Sequence, residues 1–547
     1  MQKTAKIISL LLVMTLCVTS LVFAGGGQAS GGSSASAGVV RGPYPGGWKP
    51  THDYSKQVSF SMATVQTIEG YNYTSGDPFA KWWSDNFNYK IDVTSLTFDN
   101  WAESLRIWIN SGDMPDIAVM NYNHADMSTY VEQGLIKKFP ANWKQKWPNL
   151  ARVHDRTSLG PQMEKTFGGV YMIPRSRFDN NIPHDPLPDH IGFFYRKDWA
   201  QAVGFPVKTL YTTTEVMEYA KLIKDKDPGK LGARLKPIAS RAEWAWRFFV
   251  QSNFAHYRSF YKETNGQYVW GPFSEKVLPG MKLFYKAYNE GLLDRDFYTL
   301  KDLEDYDQYR VALVSGGFFG EGTVGHMMTA ETYMKQADPN IDPEKAIGFA
   351  TVLGEDKLFH QEDLINFWGC IIFKPDVSDD IFNRYMDMMD FQCSDGGYTY
   401  SQIGFENVDW KRENGQFVSL LPPGQNLAGS TGKYPSMGYV IAVAKLADDF
   451  SFDNPANPKV WRDYSRLTYK ERSDNSTNAS FTPTDWALFT YDSPSMRKVP
   501  SDLSPEFANI ITSAKSEADV ETLWRAWVQK NRPLIDPVLQ ELNSKLK

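Results

Sequence analysis

Polar side chains that could bind a ligand follow a short buried strand predicted at Ile117–Met120. Asn121, Asn123 and Asp126 come directly after this apolar run. Open α/β sheets bind ligands at the carboxyl ends of their strands, so a loop in this position is a candidate binding loop. Amide and carboxylate groups form hydrogen bonds with paired hydroxyl groups. The three residues therefore indicate non-covalent binding of a polar ligand.

Sequence patterns of known catalytic centres are missing from the chain. It has no Gly-rich phosphate loop of the Walker type, no G-x-S-x-G turn and no H-E-x-x-H helix. Its eight histidines lie apart and lack the spacing of metal ligands. Carboxylates are plentiful, so an acid pair suited to glycoside hydrolysis stays open as an alternative. The acidic run of Asp302, Glu304, Asp305 and Asp307 is predicted as a solvated helix face.

A helix and a turn are predicted to position the candidate loop. Asn100, with Glu103 three residues later, is expected to cap this helix, Gly112 to end it and Pro115 to begin the extended chain. One apolar face is predicted from four residues at helical spacing: Trp101, Leu105, Trp108 and Ile109.

Residues 1–24 have the pattern of a secretory signal peptide, with two lysines before an apolar run and a cleavage site after Ala24. Cys17 raises the alternative of a lipid anchor. Leu16 argues against that anchor, because the lipoprotein signal has a small residue before its cysteine. The mature chain is therefore expected in the periplasm or outside the cell.

Composition narrows the function classes. The formal net charge of −6 becomes −8 when the two lysines of the signal peptide are removed, which argues against nucleic-acid binding. Aromatic residues make up 14% of the chain, with 17 Trp, and most of them are expected in cores. Cys370 and Cys393 remain after cleavage, and two buried thiols are favoured over a disulfide because Cys370 lies in an apolar run.

Several segments follow one another in a recognisable order. They are SGDMPDIAVM at 111–120, YVEQGLIKKF at 130–139, GGVYMIPR at 168–175, RKDW at 196–199, a helix over 212–224 with Thr212 and Glu215 as a capping box, and IGFENVDW at 403–410. This order resembles family 1 of the extracellular solute-binding proteins, the sugar- and oligosaccharide-binding components of ABC importers.

The resemblance implies an α/β protein with the two-lobed periplasmic-binding-protein fold and a ligand cleft between the lobes. Three interlobe crossings are expected: the first in the arrangement of GGVYMIPR, a Pro/Asn-rich loop and the strand before RKDW at 168–199, the second at Tyr309–Phe319 and the third at Phe367–Pro375. The predicted domains are a signal peptide at 1–24, a flexible Gly/Ser/Pro linker at 25–50, an N-terminal lobe at 51–176 plus 318–368, and a C-terminal lobe at 177–317 plus 369–547.

The resemblance adds six candidate ligand residues to the three loop residues. They are Arg175, Trp244, Trp246, Glu321, Trp368 and Tyr398. Arg175, Glu321 and Trp368 are expected at crossings, and the tryptophans at 244 and 246 follow a segment where relatives often supply a stacking tryptophan. Core packing is the alternative role for each tryptophan.

No catalytic residue, metal or cofactor is expected. Longer members of the family often hold calcium in an Asp/Asn-rich loop after the helix at 212–224. The segment 227–234 here keeps only Asp227 as an oxygen donor, whereas Leu231 and Ala233 have no oxygen atom in their side chains for a hard cation. The calcium site is therefore predicted to be absent.

The resemblance implies a monomeric, non-enzymatic carrier that delivers a carbohydrate to the membrane permease of an ABC transporter. The length of the chain and its many tryptophans favour an oligosaccharide. Two alternatives stay open. An exported glycoside hydrolase or polysaccharide lyase would release a product from the sugar, and a surface protein without a small ligand would lack a deep cleft.

Overall fold

A computed structural model describes residues 44–176, 191–301, 303–362, 367–422, 425–429, 432–438, 440, 454–455 and 457–546. The predicted signal peptide, and the predicted linker up to residue 43, lie outside these ranges. A search of the described helices finds no segment with the length and hydropathy needed to cross a lipid bilayer.

Fifteen strands are present in the described ranges. In chain order they are β1 (Val58–Val65), β2 (Tyr89–Leu96), β3 (Ile117–Met120), β4 (Ile173–Ser176), β5 (Ile191–Arg196), β6 (Leu210–Thr212), β7 (Phe260–Lys262), β8 (Tyr268–Trp270), β9 (Gly317–Glu321), β10 (Ile347–Leu353), β11 (Gln361–Glu362), β12 (Phe367–Phe373), β13 (Trp410–Glu413), β14 (Gln416–Ser419) and β15 (Phe481–Thr482).

The α-helices of the described ranges surround these strands. In chain order they are α1 (Pro78–Phe87), α2 (Trp101–Ser111), α3 (His124–Glu132), α4 (Trp143–Lys146), α5 (Pro148–Arg156), α6 (Leu159–Phe167), α7 (Lys197–Val203), α8 (Thr213–Lys226), α9 (Ala242–Trp246), α10 (Leu278–Asn289), α11 (Glu304–Arg310), α12 (Val324–Ala337), α13 (Pro343–Ala346), α14 (Asp379–Cys393), α15 (Asp395–Ile403), α16 (Lys459–Asp474), α17 (Trp486–Phe489), α18 (Ser504–Ser513) and α19 (Glu517–Lys545).

The first sheet has five strands in the order β2-β1-β3-β12-β4. β1 is parallel to β2 and β3, whereas β12 is antiparallel to β3 and β4. β3 is buried along its whole length, as its continuous apolar sequence predicts for a strand covered on both faces. The core around this sheet contains residues from 44 to 173 and from 370 to 440, which we call the first lobe.

The second sheet has four strands in the order β6-β10-β5-β9. β10 is parallel to β6 and antiparallel to β5, and β5 is antiparallel to β9. The cores on the two faces of this sheet contain residues from 193 to 352 and from 461 to 535. We call residues 191–362 and 457–546 the second lobe.

This grouping differs from the lobe boundaries expected from the sequence. β9 and β10 belong to the second sheet, so 318–353 lies in the second lobe, whereas β12 and residues 370–440 belong to the first. The predicted crossing at Tyr309–Phe319 was wrong. Phe319 pairs with Phe193 inside the second sheet, and the helices before and after β9 share one core.

The final residues of the predicted flexible linker are packed against the first lobe. Tyr44 is 5% exposed, and its ring centroid lies 5.6 Å from that of Phe391. Trp48 donates its indole N–H to Asp390 at 2.8 Å. The linker prediction was therefore wrong for these described residues, because the Gly/Pro-rich composition gave no indication that Tyr44 is buried and Trp48 partly buried against the lobe.

Three local predictions about helix ends have different outcomes. Gly112 ends α2 with φ of 80°, a left-handed conformation that a side chain disfavours. Asn100 does not cap α2 through its side chain, which instead accepts the Thr97 backbone N–H at 2.9 Å. At the start of α8, Thr212 and Glu215 do form the predicted capping box.

The two cysteines of the described chain are both buried free thiols, as predicted. Cys370 lies in β12 and Cys393 ends α14. Burial raises the pKa of both thiols well above the usual value, which keeps them protonated and unreactive.

Candidate functional site

An aromatic patch lies at the start of β12, where the chain enters the first lobe. The ring of Trp368 lies 5.2 Å from Trp101 and 6.1 Å from Phe98, which is 49% exposed. Trp101 is held by a hydrogen bond from its indole N–H to the Val119 carbonyl at 2.7 Å. The patch therefore combines a buried, oriented ring with a partly exposed one.

Arg175 completes the aromatic patch. Its guanidinium donates to the Trp368 carbonyl at 3.1 Å and lies 5.2 Å from the centre of that ring. The pairing of β12 with β4 shifts between Phe367 and Cys370, and Gly369 has φ of 73° at this irregularity. A Cβ on that glycine would meet Val119 Cγ1 at 3.1 Å, so Gly369 allows the close approach that presents Trp368.

The three candidate residues after β3 have different surroundings. Asn123 caps α3 by accepting the Asp126 backbone N–H at 3.0 Å. The Asp126 carboxylate binds Arg106 at 2.9 Å, and Asn121 is exposed. Two of the three side chains thus have local structural partners, and Asn121 and Asn123 are both exposed.

An interlobe segment, residues 485–498, connects the second lobe with this loop. Tyr268 of the second lobe donates its hydroxyl to Asp485 at 2.7 Å. Phe489 packs on the first lobe, stacked on Tyr122 with ring centroids 5.6 Å apart and planes at 7°. Sequence patterns do not predict this contact, because neither Tyr122 nor Phe489 belongs to a ligand pattern.

His124 lies beneath the interlobe segment. Its Nδ1 is 2.9 Å from the Tyr122 hydroxyl, and its ring stacks on Phe167 at 5.8 Å. Burial lowers the pKa of His124 below its usual 6.5, although the Asp492 carboxylate and a hydrogen bond with the Thr490 backbone raise it. The neutral imidazole is therefore the form that suits this contact.

A charged patch lies in the second lobe, at the end of β9 that pairs with the beginning of β5. Glu321 pairs with Ile191, the first described residue after the passage from the first lobe. The patch consists of Arg241, Trp244, Tyr306, Glu321 and His326. Within it, Arg241 lies 5.2 Å from the Trp244 ring and 5.6 Å from the Tyr306 ring, and His326 lies 3.9 Å from Glu321.

Trp244 is held between two guanidinium groups. Arg247 approaches its ring at 5.3 Å from the π-helical turn that follows α9. The indole N–H of Trp244 is buried and has no hydrogen-bond partner in the described part of the chain. A buried donor without an acceptor is costly, so this N–H is suited to an oxygen atom of a ligand.

Asp305 supports the charged patch from below. Its side chain is fully buried, and it accepts hydrogen bonds from the Arg241 guanidinium at 3.2 Å and the Arg241 backbone N–H at 3.1 Å. Burial raises the pKa of Asp305, whereas Arg241 lowers it. The prediction of a fully solvated acidic face was therefore wrong at Asp305, which holds the guanidinium beside Trp244.

Two further candidates pack into the protein. Trp246 is 3% exposed and stacks on Phe507 with ring centroids 3.7 Å apart. Tyr398 lies in α15, partly buried against the first-lobe core. The structure thus separates the two candidate tryptophans of α9, because only Trp244 joins the charged patch.

The sequence analysis missed the residues that hold the candidate tryptophans. Arg241 precedes α9 as its extended N-cap residue, so its contact with Trp244 is local in sequence, but helical spacing does not predict it. Tyr306 and Phe98 carried no local signal, since their contacts depend on distant elements of the chain.

One cluster of the described residues has atoms close enough to bind a metal ion: His154, Asp155 and Glu164. Lys144 already binds both carboxylates at 2.9 Å. His154 and Lys144 together lower the pKa of Asp155 to about 2. The ammonium group of Lys144 thus supplies the positive charge that balances the carboxylates of Asp155 and Glu164.

No protein-family model matches the sequence, and a comparison with curated proteins also gives no match. Solved structures do match. The alginate-binding protein AlgQ2, in a structure without calcium ion, has a TM-score of 0.62 over 90% of this chain and 98% of that chain, with 16% identity. The substrate-binding protein FusA of the Streptococcus pneumoniae ABC transporter, in complex with kestose, has a TM-score of 0.62 over 88% and 97% of the two chains, with 13% identity.

A third match is a solute-binding protein from Bifidobacterium longum infantis described as HMO-binding. It has a TM-score of 0.55 over 89% of this chain and 97% of that chain, with 15% identity. The chain therefore has the two-lobed α/β fold of ABC-transporter solute-binding proteins, which confirms the predicted fold class. At these identities the likeness establishes the fold and leaves the ligand to be argued from the residues.

Proposed function

We propose that this protein is an extracytoplasmic solute-binding protein that captures a carbohydrate between its lobes and delivers it to an ABC-transporter permease. The matched structures support the class, because their descriptions name alginate, kestose and HMO as the ligands of those proteins. The carrier is proposed to act as a monomer, without a cofactor, a metal or bound nucleic acid.

The observation that carries the proposal is the position of the two patches. Trp368 lies near the first end of β12, which follows directly after the passage from the second lobe. Glu321 lies beside Ile191, where the chain arrives from the first lobe. Each patch therefore lies next to a passage between the lobes, where a two-lobed protein can enclose a ligand.

The chemistry of the two patches suits a sugar. The ring of Trp368 offers an apolar face, and Arg175 beside it offers N–H donors. Across the lobes, Trp244 contributes an unpaired indole N–H, and Glu321 contributes acceptors for hydroxyl groups. A flat ring with planar polar groups at its edge matches a saccharide, which has apolar ring faces and a rim of hydroxyls.

An oligosaccharide is proposed over a single sugar unit, because two separate patches give more than one subsite. Binding is non-covalent, and the sugar leaves unchanged. An exported hydrolase with the same cleft is the second candidate, and it predicts cleaved products after incubation.

The test is a thermal-shift screen of the mature protein against kestose, alginate oligosaccharides and other neutral and uronic oligosaccharides. A ligand that binds only the folded state raises the melting temperature by mass action. A shift with one class of sugar, recovered intact, supports the carrier. Cleaved product would establish an enzyme, and no shift with any oligosaccharide would contradict carbohydrate binding.

Substitutions then locate the ligand. Trp368→Ala is expected to weaken sugar binding by about 10- to 100-fold, since a central aromatic contact contributes ~1–3 kcal/mol. Tyr298→Ala is the matched control, because Tyr298 is an aromatic residue 52% exposed and outside both patches. Equal affinity of the two variants would remove Trp368 from the site.

Export is proposed through cleavage of residues 1–24. A protein found without a lipid anchor, beginning at Gly25, would agree with the signal peptide. N-terminal sequencing of the exported protein and mass spectrometry test this. A mature chain that begins at a lipid-modified Cys17 would favour the alternative anchor.

A further inference from the structure

A cavity of 470 Å³ lies in the second lobe. Residues 208–212, which lead into and form β6, line the cavity together with Leu353 at the carboxyl end of β10, the parallel neighbour in which Leu353 pairs with Thr212. Carboxyl ends of parallel strands are where open α/β sheets bind ligands. β6 and β9 are the opposite edges of the four-stranded sheet, so about 14 Å of sheet separates this cavity from the charged patch.

Glu471 of α16 brings an unsatisfied acceptor to the cavity. One carboxylate oxygen, Oε1, accepts the Thr209 hydroxyl at 2.5 Å. The other, Oε2, is buried and has no hydrogen-bond partner in the described ranges. Burial raises the pKa of Glu471, in keeping with a carboxylate that lacks a compensating donor. Glu471 is one of the residues that line the cavity, so a hydrogen-bond donor of a ligand bound there would satisfy this oxygen.

The remaining polar groups define what that ligand is. Lys208 is paired with Glu215 at 2.6 Å, and Lys357 is exposed at the edge of the cavity. Two lysines and two glutamates thus line the cavity and leave no net charge to select an ion. Asn475 donates its side-chain N–H to the Glu471 backbone carbonyl at 2.7 Å. The side-chain amide oxygen of Asn475 is a further acceptor.

The volume of the cavity indicates which uncharged hydrogen-bond donor would fill it. A water molecule takes up ~30 Å³ of liquid volume, so 470 Å³ is far more space than one bridging water needs. Leu210 and Leu353 add apolar surface beside the acceptors. We propose that this cavity is a second binding site for a small neutral polyol of monosaccharide size, with one hydroxyl donating to Glu471 Oε2.

The experiment uses D-glucose as the probe and saturation-transfer NMR as the readout, with full-length mature protein. Glu471→Leu removes the acceptor and is expected to weaken glucose binding by about tenfold. Lys470→Ala is the matched control, one residue away on the same helix, and should leave the glucose signal unchanged. If the leucine variant does not fold, Glu471→Gln is measured in its place. It retains one of the two carboxylate oxygens as an acceptor.

Trp368→Ala separates this proposal from the proposed cleft. A signal that survives in Trp368→Ala and is lost in Glu471→Leu supports the second site. A signal that survives in both Glu471 variants, or that is lost only with Trp368, would overturn it. A crystal soaked with glucose provides an independent test, in which a hydroxyl within hydrogen-bond distance of Glu471 Oε2 supports the site and water alone at that position contradicts it.

Discussion

The aromatic patch and the charged patch each present a tryptophan, but they hold it in different ways. In the first lobe, other rings surround Trp368, and Trp101 is anchored by a hydrogen bond to a neighbouring strand. In the second lobe, Arg241 and Arg247 flank Trp244, and the buried Asp305 holds Arg241 in place. Trp368 is thus held by two other rings together with the single guanidinium of Arg175, whereas Trp244 contacts two guanidinium groups, one of which belongs to a buried ion pair.

This difference indicates which substitutions should affect the stability of each lobe. Ring contacts are short-ranged and insensitive to salt, so the packing of Trp368 against Trp101 and Phe98 is kept when charges change. A buried ion pair is desolvated, and removing one partner leaves an uncompensated charge. We therefore expect substitutions in the charged patch to couple binding with stability more strongly than substitutions in the aromatic patch.

The largest expected effect comes from Trp246→Ala, which tests the separation of packing from binding within α9. Because Trp246 stacks on Phe507 in the core, its truncation should reduce the free energy of unfolding by about 3–5 kcal/mol. Sugar affinity of the folded fraction should stay within about twofold. Denaturant unfolding and calorimetric titration measure the two quantities.

Trp246→Phe is the control for that experiment, because it keeps a ring against Phe507. Its loss of stability should be smaller than that of the alanine variant. If Trp246→Ala instead abolished binding with unchanged stability, Trp246 would be a ligand residue, and the contrast with Trp244 would fail.

A comparison of β3, Gly112, β9 and Asp305 shows which features the sequence can and cannot predict. β3 and Gly112 were predicted correctly because their signals are local: a continuous apolar run and a glycine at a helix end. β9 was assigned to a crossing because a strand sequence does not specify its partner strands. Asp305 looked solvated among its acidic neighbours, since Arg241 is 64 residues away in the chain.

The next largest effect is expected from Phe489→Ala, which tests whether the first-lobe loop depends on the second lobe. Removing the stack on Tyr122 should weaken the contact by about 1–2 kcal/mol and favour lobe opening. Ligand dissociation should become about tenfold faster, measured by stopped-flow fluorescence. X-ray scattering should show a larger radius of gyration for the unliganded variant.

Leu488→Ala is the matched control for Phe489→Ala. Leu488 belongs to the same short helix but packs on the second-lobe cluster of Tyr268, Val538 and Leu542. Its truncation should leave the interlobe contact in place. Equal dissociation rates in the two variants would show that the stack on Tyr122 does not hold the lobes together.

A smaller effect is expected from pH, through His124 beneath the same contact. Burial lowers the pKa of His124 in the folded contact, so the exposed or unfolded state binds the proton more tightly. The stabilisation is therefore complete above the usual pKa of 6.5 and is lost as the pH falls through it. Ligand dissociation should be faster at pH 5.5 than at pH 7.5, by less than the effect of Phe489→Ala.

His124→Gln is expected to remove this part of the pH dependence, because glutamine does not titrate. The ionisable neighbours of His124 do not change charge between pH 5.5 and 7.5, so this part of the pH dependence is assigned to His124 alone. Tyr122 keeps its proton because burial raises its pKa, and Arg497 lowers the pKa of Asp492, which stays ionised. An unchanged pH profile in His124→Gln would assign the dependence to another group.

The smallest effect is expected from adding or removing calcium. This experiment tests whether the second lobe requires a bound cation at a place other than the charged patch. Asp227 ends α8, and its two carboxylate oxygens accept the backbone N–H groups of Leu231 at 2.9 Å and Gly232 at 2.7 Å. These bonds lower the pKa of Asp227 and close the loop with donors from the chain itself. Adding calcium or a chelator should therefore shift the melting temperature by less than about 1 °C.

Asp227→Ala provides the matched comparison for the calcium experiment. It should lower the melting temperature through loss of the two backbone hydrogen bonds, equally with and without calcium. A rise in melting temperature with calcium in the wild type, absent in Asp227→Ala, would contradict the predicted absence of the site. Backbone N–H groups already use part of the acceptor capacity of both Asp227 oxygens, and the segment 227–234 has no other side-chain oxygen to complete a calcium site.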